Sequence, residues 1–372
     1  MPNVGRAQVP ERGRSGRPSD VRPGKFARGD RLTVFLASHL PHAEVARIAS
    51  VAPRRLRVIH EPDLFPGSPF AGRTRPWVPD WTDEQLSRLR RDLASCDVLF
   101  DLEWIPTPAQ LPQMAPRLCW VQATSSGIGG LLREAGLLDT GIVFTTAAGV
   151  HGQPLAEFVL LGLLYFAKGV DVLRAQQQRH HWEYRQADEL AGQRVLIVGL
   201  GQVGSAVARA CHGLGMEVWA TRRSWSLSVP AGVDRLVPTA ELRTALGQID
   251  ALVLACPYTP ETHHLIDRSS LNSLRRTAIL VNVARGAVVD EDALVDALRV
   301  GRIRGAAMDV FTHEPLALDS PLWDLPNVLI SPHSAGLVAG EATRIVDLFV
   351  DNLRRYLSGR SLRNVFDPER GY

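Results

Sequence analysis

The chain has little cysteine: only Cys96, Cys119, Cys211 and Cys256 in 372 residues. They are widely spaced, each within or beside an apolar segment, and no two share the short spacing of metal ligands. This excludes a disulfide-stapled scaffold and a cysteine metal site, and predicts reduced core thiols in a cytoplasmic protein. Long hydrophobic runs are also missing. The longest, residues 155–167, contains Glu157. It is too short to cross a bilayer and reads as a helix buried between two domains. The N-terminal region lacks the apolar centre of a secretory signal, so none is expected.

A strongly basic face is missing too, despite the net charge of +3. Residues 1–30 hold seven basic residues (Arg6, Arg12, Arg14, Arg17, Arg22, Lys25, Arg28) against three acidic ones (Glu11, Asp20, Asp30). The remainder is therefore near −1, and no nucleic-acid surface is expected on the folded part. The tail itself is rich in Arg, Gly and Pro and poor in large apolar residues, which predicts disorder. It reads as a solvated leader or an overextended start, or alternatively as a nucleic-acid or membrane-surface arm.

What is present is ample apolar content, 45% against 22% charged, in a length that suggests two domains. Strand and helix patterns alternate. Residues 32–37, 56–60, 97–100, 118–122 and 143–146 read as strands, with helices over 41–50 and 82–94. Thr82 is the expected N-cap of the second helix. One long helix over about 153–179 leads to a second set of six strands near 195–198, 217–221, 251–255, 278–282, 306–310 and 328–330. Strands joined by helix-length connections predict parallel βαβ units, hence α/β architecture with two doubly wound sheets. The last helix, 341–357, is expected to return to the first domain. The division is then a tail (1–30), a substrate domain (31–150 with 337–372) and a nucleotide domain (151–336). Pro-rich loops at 62–79 and 106–116 belong to the first domain. Phe65, Phe70, Trp77 and Trp81 around the first of them either line a pocket or pack ordinarily.

Gly199, Gly201 and Gly204 follow the apolar strand 194–198 and open the helical run 203–214. In that strand–turn–helix setting, G-x-G-x-x-G reads as a dinucleotide turn. The first glycine serves the tight turn, the second the approach of a pyrophosphate, and the third close helix–strand packing. Free N–H groups at the helix start suit phosphate.

Three later segments end parallel strands, where open α/β sheets form their ligand crevice. They carry Arg285 after 281–284, Asp309 and Glu314 in 306–315, and His333 in 329–336 with Gly336 closing it. Taken singly, Arg285 reads equally as a loop ion-pair partner, His333 as a satisfied histidine, and Glu314 as a solvated turn residue. Together the ordered set G-x-G-x-x-G, V-N-x-x-R-G, D-V-F-x-x-E-P and P-H-x-A-G resembles the D-2-hydroxyacid dehydrogenase family, over roughly residues 31–360.

That resemblance implies an NAD(P)-dependent enzyme that interconverts a small D-2-hydroxy acid and its 2-keto acid, built as a Rossmann domain inserted in a flavodoxin-like substrate domain. Arg285 would bind the substrate carboxylate, since a guanidinium offers a planar, permanently charged fork. His333 would be the general acid in reduction and the base in oxidation. Glu314 would orient the imidazole and favour its charged form. Asp309 would meet the nicotinamide carboxamide. Gln202, Val203, Pro257, Val283, Ala284 and Gly336 fall among the implied cofactor contacts. In the first domain, Ser126 and Gly127 match the substrate loop, although the family's usual aspartate is replaced by Gly129. His151 reads as structural. A homodimer through the nucleotide domain and its flanking arm is also implied.

The cofactor is read from the second strand of the nucleotide domain, which ends at Thr221. NAD-specific domains place an acidic residue just there. Here the position holds Arg222, with Arg223 and Ser224 beyond it, and Glu217 lies at the wrong end of the strand. The expectation is NADP(H), with NAD(H) use still open. Trp104 either reaches the pocket or packs in the core. A dinucleotide-sensing corepressor-like scaffold, and a dehydrogenase for another oxyacid such as phosphite, stay open as alternatives.

Overall fold

A computed structural model describes residues 31–65, 80–223 and 229–371. The basic tail, Phe70, Trp77 and Ser224 lie outside the described residues. The first unit runs β1 (Leu32–Leu36), α1 (His42–Ser50), β2 (Leu56–His60), α2 (Asp83–Ser95), β3 (Val98–Phe100), α3 (Leu111–Met114), β4 (Trp120–Gln122), α4 (Gly129–Glu134) and β5 (Val143–Thr145). Its sheet is parallel in the order β2-β1-β3-β4-β5. Thr82 caps α2 reciprocally: its hydroxyl accepts the Gln85 N–H, and the Gln85 side chain accepts the Thr82 N–H. This satisfies two otherwise orphaned donors at the helix start.

The second unit is entered through α5 (Gly152–Ala167) and α6 (Val170–Gln178). The expected single helix over 153–179 is broken, because Gly169 adopts a left-handed conformation at φ 63°. A glycine accepts this at little cost, so it ends one helix and starts another at an angle. There follow β6 (Arg194–Val198), α7 (Gln202–Gly213), β7 (Glu217–Thr221), β8 (Arg235–Leu236), α8 (Leu242–Leu246), β9 (Ala251–Leu254), α9 (Arg268–Ser273), β10 (Ile279–Asn282), α10 (Glu291–Arg299), β11 (Gly305–Met308) and β12 (Val328–Ile330). The sheet order is β12-β11-β10-β9-β6-β7-β8, parallel throughout. It has seven strands rather than the expected six, because the two-residue β8 extends it beyond β7. Residues of β6, β9 and β10 are buried on both faces, which is why they read as unbroken apolar runs.

The last helix, α11 (Glu341–Leu357), returns to the first sheet. Its buried Ile345, Phe349, Leu353 and Tyr356 recur at helical spacing and pack on β1, β3 and β4. Phe349 meets Phe100 and Trp120 with centroids 5.0 and 5.3 Å away, and Tyr356 stacks on Trp120. The chain then crosses β5, where Thr145 bridges Val365 antiparallel and Phe366 enters the core. Both sheets are therefore doubly wound. The direction of winding reverses between β1 and β3 in one, and between β6 and β9 in the other. Trp104 belongs to the core of the first unit, only 4% exposed.

Candidate active site

The glycine turn joins β6 to α7. Gly199 has φ 99°, and a Cβ there would meet the backbone of Ala255 and Cys256 at 2.6 to 2.8 Å. A Cβ at Gly204 would run into the Gly199 carbonyl oxygen. Both positions therefore exclude any side chain, for turn and close approach respectively. Gly201 has nothing within 4 Å of a Cβ position, which leaves its face open. It caps α7 without a side-chain hydrogen bond, so the N–H groups beginning at Gln202 and Val203 are not covered by a capping side chain. An anion has both room and donors there.

Next to this turn, β7 ends in buried Thr221, whose carbonyl accepts the Gly199 N–H at 3.1 Å. Arg222 follows, with Nε buried and lacking a hydrogen-bond partner among the described residues. Arg223 lies beyond it, close enough to Glu261 to help hold that carboxyl below its usual range, after the hydrogen bonds from Thr259 and the Glu261 backbone. On the other side of β6, Pro257 follows β9, and Val283 and Ala284 follow β10 in buried positions.

The catalytic candidates occupy the ends of three successive neighbours, β10, β11 and β12. Asn282, fully buried at the end of β10, braces the turn that carries Arg285. Its Oδ1 accepts the Ala284 N–H, and its Nδ2 donates to the Arg285 carbonyl. The Arg285 Nη1 donates to the Ala284 carbonyl at 2.7 Å. The guanidinium is open to solvent along the cleft, yet flanked by protein of both units. Desolvation lowers its proton affinity, and the carboxylates of Glu314, Asp309 and Glu103 oppose that effect.

His333 has a left-handed backbone, φ 53°, and its N–H donates to the Asp309 carbonyl at 2.8 Å. Its Nδ1 lies 2.7 Å from Glu314 Oε2. Glu314 Oε1 accepts the Phe311 N–H. Burial alone would raise the Glu314 carboxyl. The hydrogen bonds from His333 and Phe311, with the charge of Arg285, overcome this and hold it below the usual carboxylate range. An ionised Glu314 can only accept, so Nδ1 carries the hydrogen and Nε2 faces outward.

The Asp309 Oδ1 accepts three donors: the Ser331 hydroxyl and the N–H groups of Ser334 and Ala335, at 2.6 to 2.9 Å. This atom shapes the turn that presents His333, and its residue is only 2% exposed. Gly336 ends that turn against the His151 ring. His151 is engaged away from the chemistry, 2.6 Å from Glu341 at the start of α11.

From the first sheet, the loop after β4 reaches the same place. The Ala123 N–H donates to the Thr145 carbonyl, and the Ala147 N–H to the Ser125 carbonyl. Gln122 is tied to Asn352 of α11. Ser126 and Gly127 are exposed at the loop tip, and a Cβ at Gly127 would overlap the Arg285 guanidinium. The structure thus joins the substrate-loop candidates to Arg285 across the cleft. The absence of the usual aspartate has a packing cause: a Cβ at Gly129 would strike the Gly371 carbonyl and approach Phe366, so the C-terminal segment fills that space.

Sequence reasoning missed Asn282, Phe311, Ser331 and Glu103 as parts of the site. Glu103 carried a usable signal, since it lies three residues beyond the end of β3, at the carboxyl end of the first sheet. The others act through hydrogen bonds that leave no compositional trace.

A sequence model of the family described as D-isomer specific 2-hydroxyacid dehydrogenase, NAD binding domain, matches residues 160–335. Glyoxylate/hydroxypyruvate reductase B of Pectobacterium carotovorum subsp. carotovorum (strain PC1) is 35% identical over 263 residues, covering 69% of this chain and 81% of that protein. The crystal structure of a D-isomer specific 2-hydroxyacid dehydrogenase from Xanthobacter autotrophicus Py2, in complex with NADPH and MES, superposes with a TM-score of 0.74. It is 28% identical and covers 92% of this chain and 100% of its own. The NADPH-dependent glyoxylate/hydroxypyruvate reductase of Sinorhizobium meliloti, in complex with NADP and sulfate, gives a TM-score of 0.72 at 25% identity, with 92% and 100% covered.

Proposed function

Because the chain belongs to the D-isomer specific 2-hydroxyacid dehydrogenase family and is an oxidoreductase of that kind, we propose that it reduces small 2-keto acids such as glyoxylate and hydroxypyruvate, preferring NADPH. The observation that carries this reading is the convergence of Arg285, Gly127 and the Glu314–His333 pair on one cleft.

Arg285 and the N–H groups around Ser126 and Gly127 bind the substrate carboxylate. The guanidinium also polarises the neighbouring carbonyl, as an oriented charge does. His333 donates a proton from Nε2 to the carbonyl oxygen as that oxygen gains charge. Glu314 holds Nδ1–H and stabilises the charged ring before transfer. The nicotinamide, when bound, supplies the hydride. In the oxidative direction His333 accepts the proton instead.

The residues fit a dinucleotide laid along the strand ends. Gly199, Gly201 and Gly204 leave a cradle, and α7 offers uncovered N–H groups. Arg222 supports the phosphorylated form, since its buried Nε lacks a partner among the described residues beside the end of β7. A 2′-phosphate would supply one with opposite charge. Thr221, Arg223, Pro257, Val283, Ala284 and Gly336 would complete the lining, with Asp309 fixing the turn at the nicotinamide end. Ser224 belongs to the same proposed clamp.

We also infer a homodimer. Trp182 and Tyr184 are 86% and 91% exposed on the segment after α6, and Leu161 and Leu173 are exposed on α5 and α6. Such large apolar side chains favour cover by a second copy. The unpaired, mostly buried thiols support a cytoplasmic setting. No helix among the described residues is long and apolar enough to cross a membrane.

The test is NADPH and NADH oxidation with glyoxylate and hydroxypyruvate. Turnover with a higher kcat/KM for NADPH is expected. Tight cofactor binding without turnover of any 2-keto acid would sink the reductase reading and favour a sensing scaffold.

A further inference from the structure

We propose that His151 and Glu341 form a positioning bridge, which joins the two chain crossings between the sheets and so sets where His333 stands relative to the substrate loop. The inference takes the role of His333 from the reductase reading above and concerns how that residue is placed.

The chain passes between the sheets twice. It leaves the first sheet after β5 and enters α5, with His151 at the N-cap. It returns after β12, through the turn that carries His333, and enters α11 at Glu341. The returning stretch is tightly wound. The Leu337 N–H donates to the Ser334 carbonyl, and the Glu341 N–H to the Val338 carbonyl, both at 2.9 Å. A shift of the first residue of α11 is therefore carried back along a short, stiff path to the turn of His333.

The outgoing stretch is tied to the other parts of the cleft. The Ala147 N–H donates to the Ser125 carbonyl in the substrate loop. A Cβ on Gly152 would stand 3.4 Å from the carbonyl of Gln202, the first residue of α7. His151 thus sits where the substrate loop, the start of α7 and the turn of His333 come together.

One ring joins the two stretches. The His151 Nε2 lies 2.6 Å from Glu341 Oε1. The ring edge packs on Gly336, where a Cβ would stand 3.4 Å from Cδ2. The Glu341 side chain is only 5% exposed, and its Oε2 has no hydrogen-bond partner among the described residues. A buried carboxylate held by one side chain is a costly way to fill space, and an apolar pair of the same shape would serve stability at least as well. Such a breach is expected where placement matters more than stability. A hydrogen bond fixes direction as well as distance, which apolar packing does not. In this role His151 acts through Gly336 and Glu341, not on the substrate.

The experiment measures kcat and KM for glyoxylate with NADPH, and hydrogen exchange of the 333–341 amides, in the full chain. It compares wild type, Glu341→Gln and the double variant His151→Phe, Glu341→Leu. The double variant removes both polar ends together, so no buried carboxylate is left unpaired and the fold persists. Its kcat should fall about ten- to a hundredfold. Its KM should stay within about twofold, the mark of lost placement rather than lost binding. The 333–341 amides should exchange at least about tenfold faster, with those of β6 unchanged. Glu341→Gln keeps an acceptor for the ring and should hold kcat within about threefold of wild type. A folded double variant with kcat and exchange within about twofold of wild type would overturn the bridge. If the double variant unfolds, His151→Gln decides instead. Its amide still satisfies Glu341 but no ring presses on Gly336, so kcat should fall with KM held, and an unchanged kcat would overturn the bridge. Wild type that turns over no 2-keto acid would overturn the reductase reading by itself. Exchange alone then decides the bridge, and unchanged 333–341 amides in the double variant would overturn it.

Discussion

Gly127 and Arg285 meet across the cleft, the former at the tip of a first-sheet loop and the latter at the end of β10, with no room for a side chain between them. The atoms that a new Cβ would displace are the far end of a flexible arginine. Gly127→Ala should therefore move the guanidinium and leave the fold intact. A displacement of about 1 Å at a reacting centre can cost roughly a hundredfold. We expect kcat/KM for the 2-keto acid to fall by about that factor, with stability changed by less than about 0.5 kcal/mol, as for a surface position. Steady-state kinetics and a thermal melt check both. Undiminished kcat/KM would show that the contact does not set the arginine.

The Glu314–His333 pair predicts a pH signature. Glu314 is held below the usual carboxylate range, so it is ionised at neutral pH and favours the charged ring. Reduction needs the protonated ring, so the rate falls on the alkaline side. Glu314→Gln removes the negative charge beside the ring and should lower kcat for reduction by about tenfold or more. His333→Ala should lower kcat roughly 10²- to 10⁴-fold. The stability linkage has its own sign. A depressed carboxyl stabilises the fold above its unfolded pKa, and this contribution is lost as pH falls through the folded value. Acid melts of wild type should show that loss, whereas Glu314→Gln should lack it. A kcat–pH profile of Glu314→Gln superimposable on wild type would remove the pair from the mechanism.

Asp309 tests whether the turn beneath His333 is held by a single atom. Three donors converge on its Oδ1. Asp309→Ala leaves them unsatisfied in a buried place, at a cost of roughly 2–4 kcal/mol. Asp309→Asn keeps an acceptor oxygen and should recover most of that stability. If Oδ1 acts only by shaping the turn, kcat should recover along with it. Chemical denaturation of both variants, read beside kcat, separates scaffolding from a direct cofactor contact. Recovered stability with activity still lost would assign Asp309 to the cofactor as well.

Arg222 carries the cofactor prediction. Arg222→Asp replaces a cation by the residue type that pairs with an unphosphorylated ribose. Loss of a charge-assisted contact predicts a fall of roughly 10- to 100-fold in kcat/KM for NADPH. The value for NADH should hold or rise. An unchanged preference would mean that the buried Nε serves packing alone.

Much of this architecture was legible in the residues because the strands are buried on both faces. β6, β9 and β10 could only be written as apolar runs. Gly199 and Gly204 were readable because the turn and the close approach tolerate no side chain. Other features rest on distances along the chain that no local pattern records. The break at Gly169 hides inside two consecutive helical patterns, and β8 is too short to have a period. The space at Gly129 is filled by Gly371, which lies far away in sequence. The donors that fix Asp309 come from 22 to 26 residues further on. The side chains that converge on the cleft could thus be named in advance, while the hydrogen bonds that orient them could not.

The exposed aromatics after α6 give the final prediction. Trp182 and Tyr184 stand with rings 6.5 Å apart and almost wholly in solvent in the isolated chain. Their segment begins at the end of α6 and runs to the strand that precedes the glycine turn. An interface there would brace the nucleotide unit and leave the cleft free to open and shut. Buried interface aromatics each contribute about 2 kcal/mol or more when they act as anchors. The double variant Trp182→Ser, Tyr184→Ser should therefore sediment as a monomer at micromolar concentration, where wild type sediments as a dimer. Circular dichroism should be unchanged, because neither ring contributes to a core. Wild type sedimenting as a monomer at that concentration would dismiss the dimer. A variant that stayed dimeric would move the interface elsewhere on the unit.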